Sequence, residues 1–171
     1  MAEGVVKFDV KMTDKAMYDF LLYHTYTKVS GMLGVMFGFL MFLVAFRQLA
    51  QKQPETSVFF FFLAFFFLVF TPFILWKRAK EQVKHTPMFQ EPIHYELNQK
   101  GVAVSQGEQK TLNKWKDFEK AVATNQSIIL YVTRMRAIIF PRKDMGEQYT
   151  AAVSMIYTHM PAAKVKIRQV R

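Results

Sequence analysis

The chain has no cysteine in 171 residues, so disulfide frameworks, thiolate metal sites and thiol nucleophiles are excluded. Charge is missing over two long stretches. Val29–Phe46 (VSGMLGVMFGFLMFLVAF) runs for 18 residues and Ser57–Trp76 (SVFFFFLAFFFLVFTPFILW) for 20 without an Asp, Glu, Lys or Arg. With no ionisable side chain in either run, a proton relay or ion path through them has nothing to work with. Catalytic patterns are absent too. His24, His85, His94 and His159 have no metal-ligand spacing, no H-E-x-x-H or G-x-S-x-G occurs, and Gly101, Gly107 and Gly146 form no phosphate loop. The expectation is a non-catalytic protein with no cofactor and no metal site.

Phenylalanine is abundant and unevenly placed: 13 of the 18 Phe residues fall between positions 37 and 73. At about 1.5 Å of rise per residue, each apolar run makes a helix of about 27–30 Å, close to the hydrocarbon thickness of a bilayer. The rest of the chain is too short to build a soluble shell around two such helices. The first run is read as a retained anchor rather than a cleaved signal, because Arg47-Gln48-Leu49 follows it instead of a small-residue cleavage pattern. Arg47–Thr56, with Pro54, is long enough to turn the chain, so the two runs predict a transmembrane helical hairpin over 29–76, with spans 29–46 and 57–76. Ser30, Gly34 and Gly38 recur every fourth residue, and this small-residue stripe is the expected hairpin packing face. Pro72 is expected to kink the second span, and Trp76 to sit at the membrane interface.

The net charge is +10, and residues 77–171 carry 17 Lys and Arg against eight acids. Lys77, Arg78, Lys80 and Lys84 follow the second span directly, and Lys15 and Lys28 precede the first, whereas the connecting loop has only Arg47 and Lys52. That bias places both termini in the cytoplasm. Lys77, Arg78, Lys80 and Lys84 are the expected contacts to an anionic membrane surface, about 1 kcal/mol each at that distance. Nothing resembles a nucleic-acid recognition helix or aromatic platform, so nucleic acid is not an expected partner.

Outside the spans the periodicity changes. Residues 4–12 (GVVKFDVKM) alternate, with Val6, Phe8, Val10 and Met12 on one face, and predict a strand. An isolated strand is not stable, so it must pair with a sheet formed after residue 85. Thr13-Asp14 offers an N-cap for a helix expected to run straight into the first span and to leave residues 1–28 as a leading segment. Residues 77–171 predict a small β domain. Its strands are expected at Ile93–Leu97, Val102–Val104, Leu112–Phe118 with Trp115 in the core, Ser127–Thr133 and Ala137–Phe140, with Ser105–Lys110 as a turn. Tyr149, Ala152, Val153, Ile156, Tyr157 and Met160 follow helical spacing, and that helix should end before Pro161 and close the sheet. Lys114, Lys116 and Lys120 alternate with Asp117 and Glu119 and read as a solvated mixed-charge stretch. The last residues, KVKIRQVR, suit an edge strand, a tail or a lipid contact equally well.

This order of parts resembles the YcxB-like family of small bacterial membrane proteins. The resemblance rests on the leading strand with Thr13-Asp14, the Tyr23-His24 pair, the hairpin, and the run from Trp115 through Ile128-Ile129-Leu130-Tyr131 to Ala137-Ile138-Ile139-Phe140-Pro141. It implies an α+β membrane protein: a two-helix transmembrane hairpin plus a small antiparallel β half-barrel of the pleckstrin-homology type, closed by a C-terminal helix. It carries no established activity. The expectation is a two-pass protein of the bacterial inner membrane whose cytoplasmic domain contacts a protein partner or lipid headgroups. The alternative is an accessory or regulatory subunit of a larger transporter or envelope-enzyme complex, held through the hairpin.

Overall fold

The computed structural model describes residues 4–167. The chain divides into two compact units, Met1–Phe20 with Gln82–Arg171, and Leu21–Glu81. The first unit is thus discontinuous in sequence, with the second inserted into it.

In the first unit, β1 (Val6–Val10) pairs antiparallel with β2 (Ile93–Asn98), with Phe8 opposite Tyr95 and Val10 opposite Ile93. The alternation in the sequence decides which face is buried: Val6, Phe8 and Val10 are inside while Lys7 and Asp9 are exposed. On the outer face Asp9 meets His94 at 2.6 Å and Lys7 meets Glu96 at 3.3 Å. The amide of Asn98 and the ammonium of Lys7 hold the Glu96 carboxyl below the usual carboxylate range. β3 (Gly101–Gln106) and β4 (Gln109–Lys114) extend this sheet in the order β1-β2-β3-β4. A second sheet holds β5 (Lys120–Ala123), β6 (Ser127–Tyr131), β7 (Ala137–Pro141) and β8 (Val165–Lys166) in the order β7-β6-β5-β8. The expected pairing of the N-terminal strand with the later sheet is therefore observed.

No strand ladder joins the sheets among the described residues, so the β elements form two four-stranded sheets without barrel closure. The expectation of a wholly antiparallel domain is corrected, because β8 runs parallel to β5. Of the C-terminal KVKIRQVR, Val165 and Lys166 form this short strand and Ile167 is buried, while residues 168–171 lie outside the described residues. Boundaries also shift. The turn expected over Ser105–Lys110 shrinks to Gly107-Glu108, because Gly107, at φ 55°, allows a tight reversal and frees Gln109 and Lys110 to pair with Gln106 and Ser105. β4 thus ends at Lys114, and Trp115–Asp117 form a 3₁₀ turn. β5 is only four residues long, too short for an alternation to announce it, although the turn Thr124–Ser127 follows it.

α5 (Arg142–Met145) and α6 (Gln148–His159) follow, and α6 packs against β1 and β2 through Ala152, Val153 and Ile156. The shared core holds Phe8, Tyr95, Phe118, Ile128, Leu130, Phe140 and Ile156, and each fully buried side chain of this size contributes about 1.5–3 kcal/mol. The first turns of α1 (Asp14–Tyr26) dock on the same unit. The Thr13 hydroxyl accepts from the Ala16 N–H at 3.2 Å, Met17 is buried, and the Thr124 hydroxyl donates to the Asp19 carboxylate at 2.5 Å.

In the second unit, α1 does not run on into the next helix. It ends at Tyr26, where the Thr27 hydroxyl donates back to the Tyr23 carbonyl at 2.6 Å. α2 (Val29–Ala50) starts afresh after Lys28. Gly31 permits this corner, since a Cβ there would lie 2.0 Å from the Thr25 carbonyl oxygen. The loop to α3 (Pro54–Phe65) is only Gln51-Lys52-Gln53, with Lys52 at φ 59°. Helix therefore takes up most of the segment read as loop from sequence, and Pro54 serves as the first helical residue, where its missing N–H costs nothing. A π-helical turn, Phe66–Phe70, leads into α4 (Thr71–His85). Pro72 accounts for the widening: it cannot donate to the Leu68 carbonyl, and its ring crowds that carbonyl, so the disturbance falls one turn before the proline.

Candidate functional site

Three places gather small, basic or aromatic residues into one part of the structure. The first is the seam between α2 and α3. Gly38 is buried, and a Cβ there would stand 2.8 Å from Leu68 Cγ and 3.1 Å from Phe67 Cβ. Gly34 is half-buried, with Phe67 Cδ1 3.8 Å from the place of a Cβ. Ser30 is exposed, so the seam does not start there as the four-residue spacing suggests; α2 begins at Val29 and its first turn lies outside the contact. The seam continues instead at Ala45, Ser57 and Ala64, all buried. The Ser57 hydroxyl donates to the Ala45 carbonyl at 2.8 Å, a buried link between the two helices. These three residues escaped a search for a regular four-residue stripe because Ala45 lies seven positions beyond Gly38.

The second place is α4. Lys77, Arg78, Lys80 and Lys84 are all exposed, and Leu75 and Ala79 are buried. Helical spacing puts Lys77, Lys80 and Lys84 in one line opposite that buried pair. Lys80 Nζ lies 5.7 Å from the Trp76 ring centre.

The third is a pocket of about 560 Å³ on the β unit. Three separate segments line it. The β2–β3 turn supplies Gln99 and Lys100, the end of β4 and the following 3₁₀ turn supply Lys114, Trp115 and Lys116, and the end of α6 with the segment after it supplies His159, Pro161 and Lys164. Trp115 forms the floor, anchored by its indole N–H donating to the Asn98 carbonyl at 2.7 Å. The His159 ring stacks on it with centroids 5.3 Å apart and planes inclined by 17°. His159 Nδ1 donates to the Met155 carbonyl at 3.0 Å. Lys164 Nζ donates to the Phe118 carbonyl at 3.0 Å. In sequence Lys114 and Lys116 belong to a solvated mixed-charge stretch, and nothing there signals that Lys100 and Lys164, far away in the chain, come to the same spot.

A different surface of this unit is apolar. Met12, Met17, Met88 and Met135 line a groove of about 370 Å³ together with Tyr95 and Ile139. β4 ends its sheet, and five of its six residues are exposed. No group of three His, Asp or Glu side chains capable of holding a metal is found among the described residues.

The fold defines a class: an α+β protein in which two helices long and apolar enough to cross a membrane, Val29–Ala50 and Pro54–His85, interrupt a two-sheet β unit between its first and second strands. Residues 97–155 match the YcxB-like protein family, the one the sequence resembles. The matched stretch begins at the end of β2 and ends within α6, so it covers much of the β unit and none of the hairpin. No curated protein and no solved structure matches the chain.

Proposed function

We propose that this is a two-pass protein of the bacterial inner membrane, non-catalytic, whose β unit is a binding or scaffold module held at the cytoplasmic surface. The observation that carries the membrane reading is the hairpin exterior. Phe39, Phe59, Phe62 and Phe65 are more than half exposed on helices that already satisfy their own seam, and a lipid solvent makes that surface favourable. The β1–β2 ladder supports two crossings, because strands flanking the hairpin can pair only if both flanks lie on one side. The excess of Lys and Arg after the second helix makes that side the cytoplasm. Lys77, Lys80 and Lys84 then lie next to the headgroups of the inner leaflet. A four-stranded meander, a three-stranded meander and a closing helix support a pleckstrin-homology-like arrangement, a scaffold that presents surfaces rather than catalytic groups. The exposed strand β4 and the methionine-lined groove suit a protein partner, since Met side chains adapt to varied apolar contacts.

Photo-crosslinking in cells tests the reading. A crosslinking amino acid at Met135, which is 84% exposed beside the groove, should give a discrete protein adduct. Adducts only from Leu43, on the outer face of α2, would favour the alternative of an accessory subunit held through its hairpin. Adducts from neither position would contradict a binding protein of this kind.

A further inference from the structure

We propose that the pocket over Trp115 and His159 binds a phosphate-bearing anion, supplied either by a small soluble phosphate compound or by the headgroup of an anionic lipid. The proposal rests on reading the β unit as a binding module and gives that module a ligand class. Charge is the first argument. Lys100, Lys114, Lys116 and Lys164 reach one pocket from three segments that the fold brings together. None of the four forms an ion pair with a carboxylate among the described residues, in contrast to Lys7, which pairs with Glu96. The nearest acid in sequence, Asp117, is engaged by the Lys114 backbone N–H at 3.2 Å. No carboxylate lines the pocket itself, so four ammonium groups gathered there repel one another, and a bound polyanion removes that repulsion. Lys164 gives one N–H to the Phe118 carbonyl and keeps the others for a ligand.

Shape and chemistry narrow the class. Flexible ammonium groups act as point charges and suit the several oxygens of a phosphate, whereas a single planar carboxylate is better held by the fork of an arginine, and no arginine lines this pocket. The floor is fixed before any ligand arrives. Trp115 is held by Asn98, His159 is held by Met155, and the two rings are stacked, so little ordering entropy is lost on binding. About 560 Å³ accommodates a diphosphate or a phosphorylated headgroup.

Fluorescence tests this directly, because the chain has only two tryptophans. The full chain with Trp76→Phe, in nanodiscs of phosphatidylcholine built with a tryptophan-free scaffold protein, reports on Trp115 alone. Titration with pyrophosphate should change its emission saturably, and Lys114→Gln with Lys116→Gln should weaken the apparent affinity by on the order of tenfold or more. Lys11→Gln with Lys143→Gln, both exposed and away from the pocket, should leave it unaltered. In phosphatidylglycerol nanodiscs without pyrophosphate, the same emission change, lost in the Lys114/Lys116 variant, would assign the ligand to a lipid headgroup. A change requiring free pyrophosphate would assign it to a soluble compound. Native-like amide protection over residues 127–140 shows that the variants are folded. No saturable response in either arm, or one indifferent to Lys114 and Lys116, would overturn the proposal. If Met135 still gave its protein adduct in that case, the pocket alone would have failed and the binding-module reading would stand.

Discussion

Phe8→Asp is expected to unfold the β unit although Phe8 lies before the hairpin and most of that unit lies after it. The ring is buried at 7% exposure and sits 5.1 Å from Phe140, edge to face, and 6.0 Å from Tyr95; Tyr95 and Phe140 are themselves 5.0 Å apart. Phe140 belongs to the second sheet and Tyr95 to the first, so this triangle joins the two sheets through a residue of β1. Deleting a buried Phe side chain costs about 3–5 kcal/mol, comparable with the whole stability of many small domains. An aspartate adds the cost of an unpaired charge in an apolar site, which Phe8→Leu does not. Amide exchange over residues 127–140 is the measurement. Loss of protection in Phe8→Asp, near-native protection in Phe8→Leu, and loss again on removing residues 1–12 are expected. Full protection without residues 1–12 would mean that the later strands fold unaided and that β1 only decorates an edge.

Gly38→Leu is expected to separate or misalign the hairpin. The Cβ alone would come within 2.8 Å of Leu68 Cγ, and Phe67 Cβ, tied to its backbone, is 3.1 Å away. Overpacking of this kind costs about 1–3 kcal/mol when neighbours can shift. The π-helical turn at Phe66–Phe70 carries both neighbours and is already committed to accommodating Pro72, so relief through backbone movement is limited. Gly34→Ala is the control: a Cβ there finds Phe67 Cδ1 at 3.8 Å, an ordinary contact, and exchanging Gly for Ala in a helix is favourable by roughly 0.5–1 kcal/mol. In mild detergent the thermal midpoint should fall for Gly38→Leu and hold or rise for Gly34→Ala. Equal midpoints for Gly38→Leu and the parent would show that this face of α2 does not pack on its partner.

Features that the sequence expresses as local pattern were legible. The alternation of Val6, Phe8 and Val10 gave the buried face of β1, and the need of a lone strand for a partner pointed to the ladder with β2. The uncharged runs gave both apolar helices, and the spacing of Ala152, Val153 and Ile156 gave α6. What remained hidden depends on position in space. The helix corner at Thr27-Lys28 lies among weak helix formers, from Thr25 to Gly31, but weak propensity alone does not place a break, which is set by the close approach of Gly31 to Thr25. The Ala45–Ser57 contact follows from the tightness of a turn that cannot be measured before Lys52 is seen with a positive φ. The lysine pocket is assembled from residues 100, 114, 116 and 164, each unremarkable in its own neighbourhood.

The central claim is that a membrane hairpin interrupts one β unit and leaves both flanks on the cytoplasmic side. The absence of native cysteine makes a direct measurement possible. Single cysteines at Gln51, in the α2–α3 turn, and at Gln109, the first residue of β4, are exposed to a membrane-impermeant thiol reagent in intact cells whose outer membrane, where one is present, has been made permeable. The account predicts labelling at Gln51 only, with Gln109 reacting once the inner membrane is opened. Labelling of Gln109 in intact cells would contradict it.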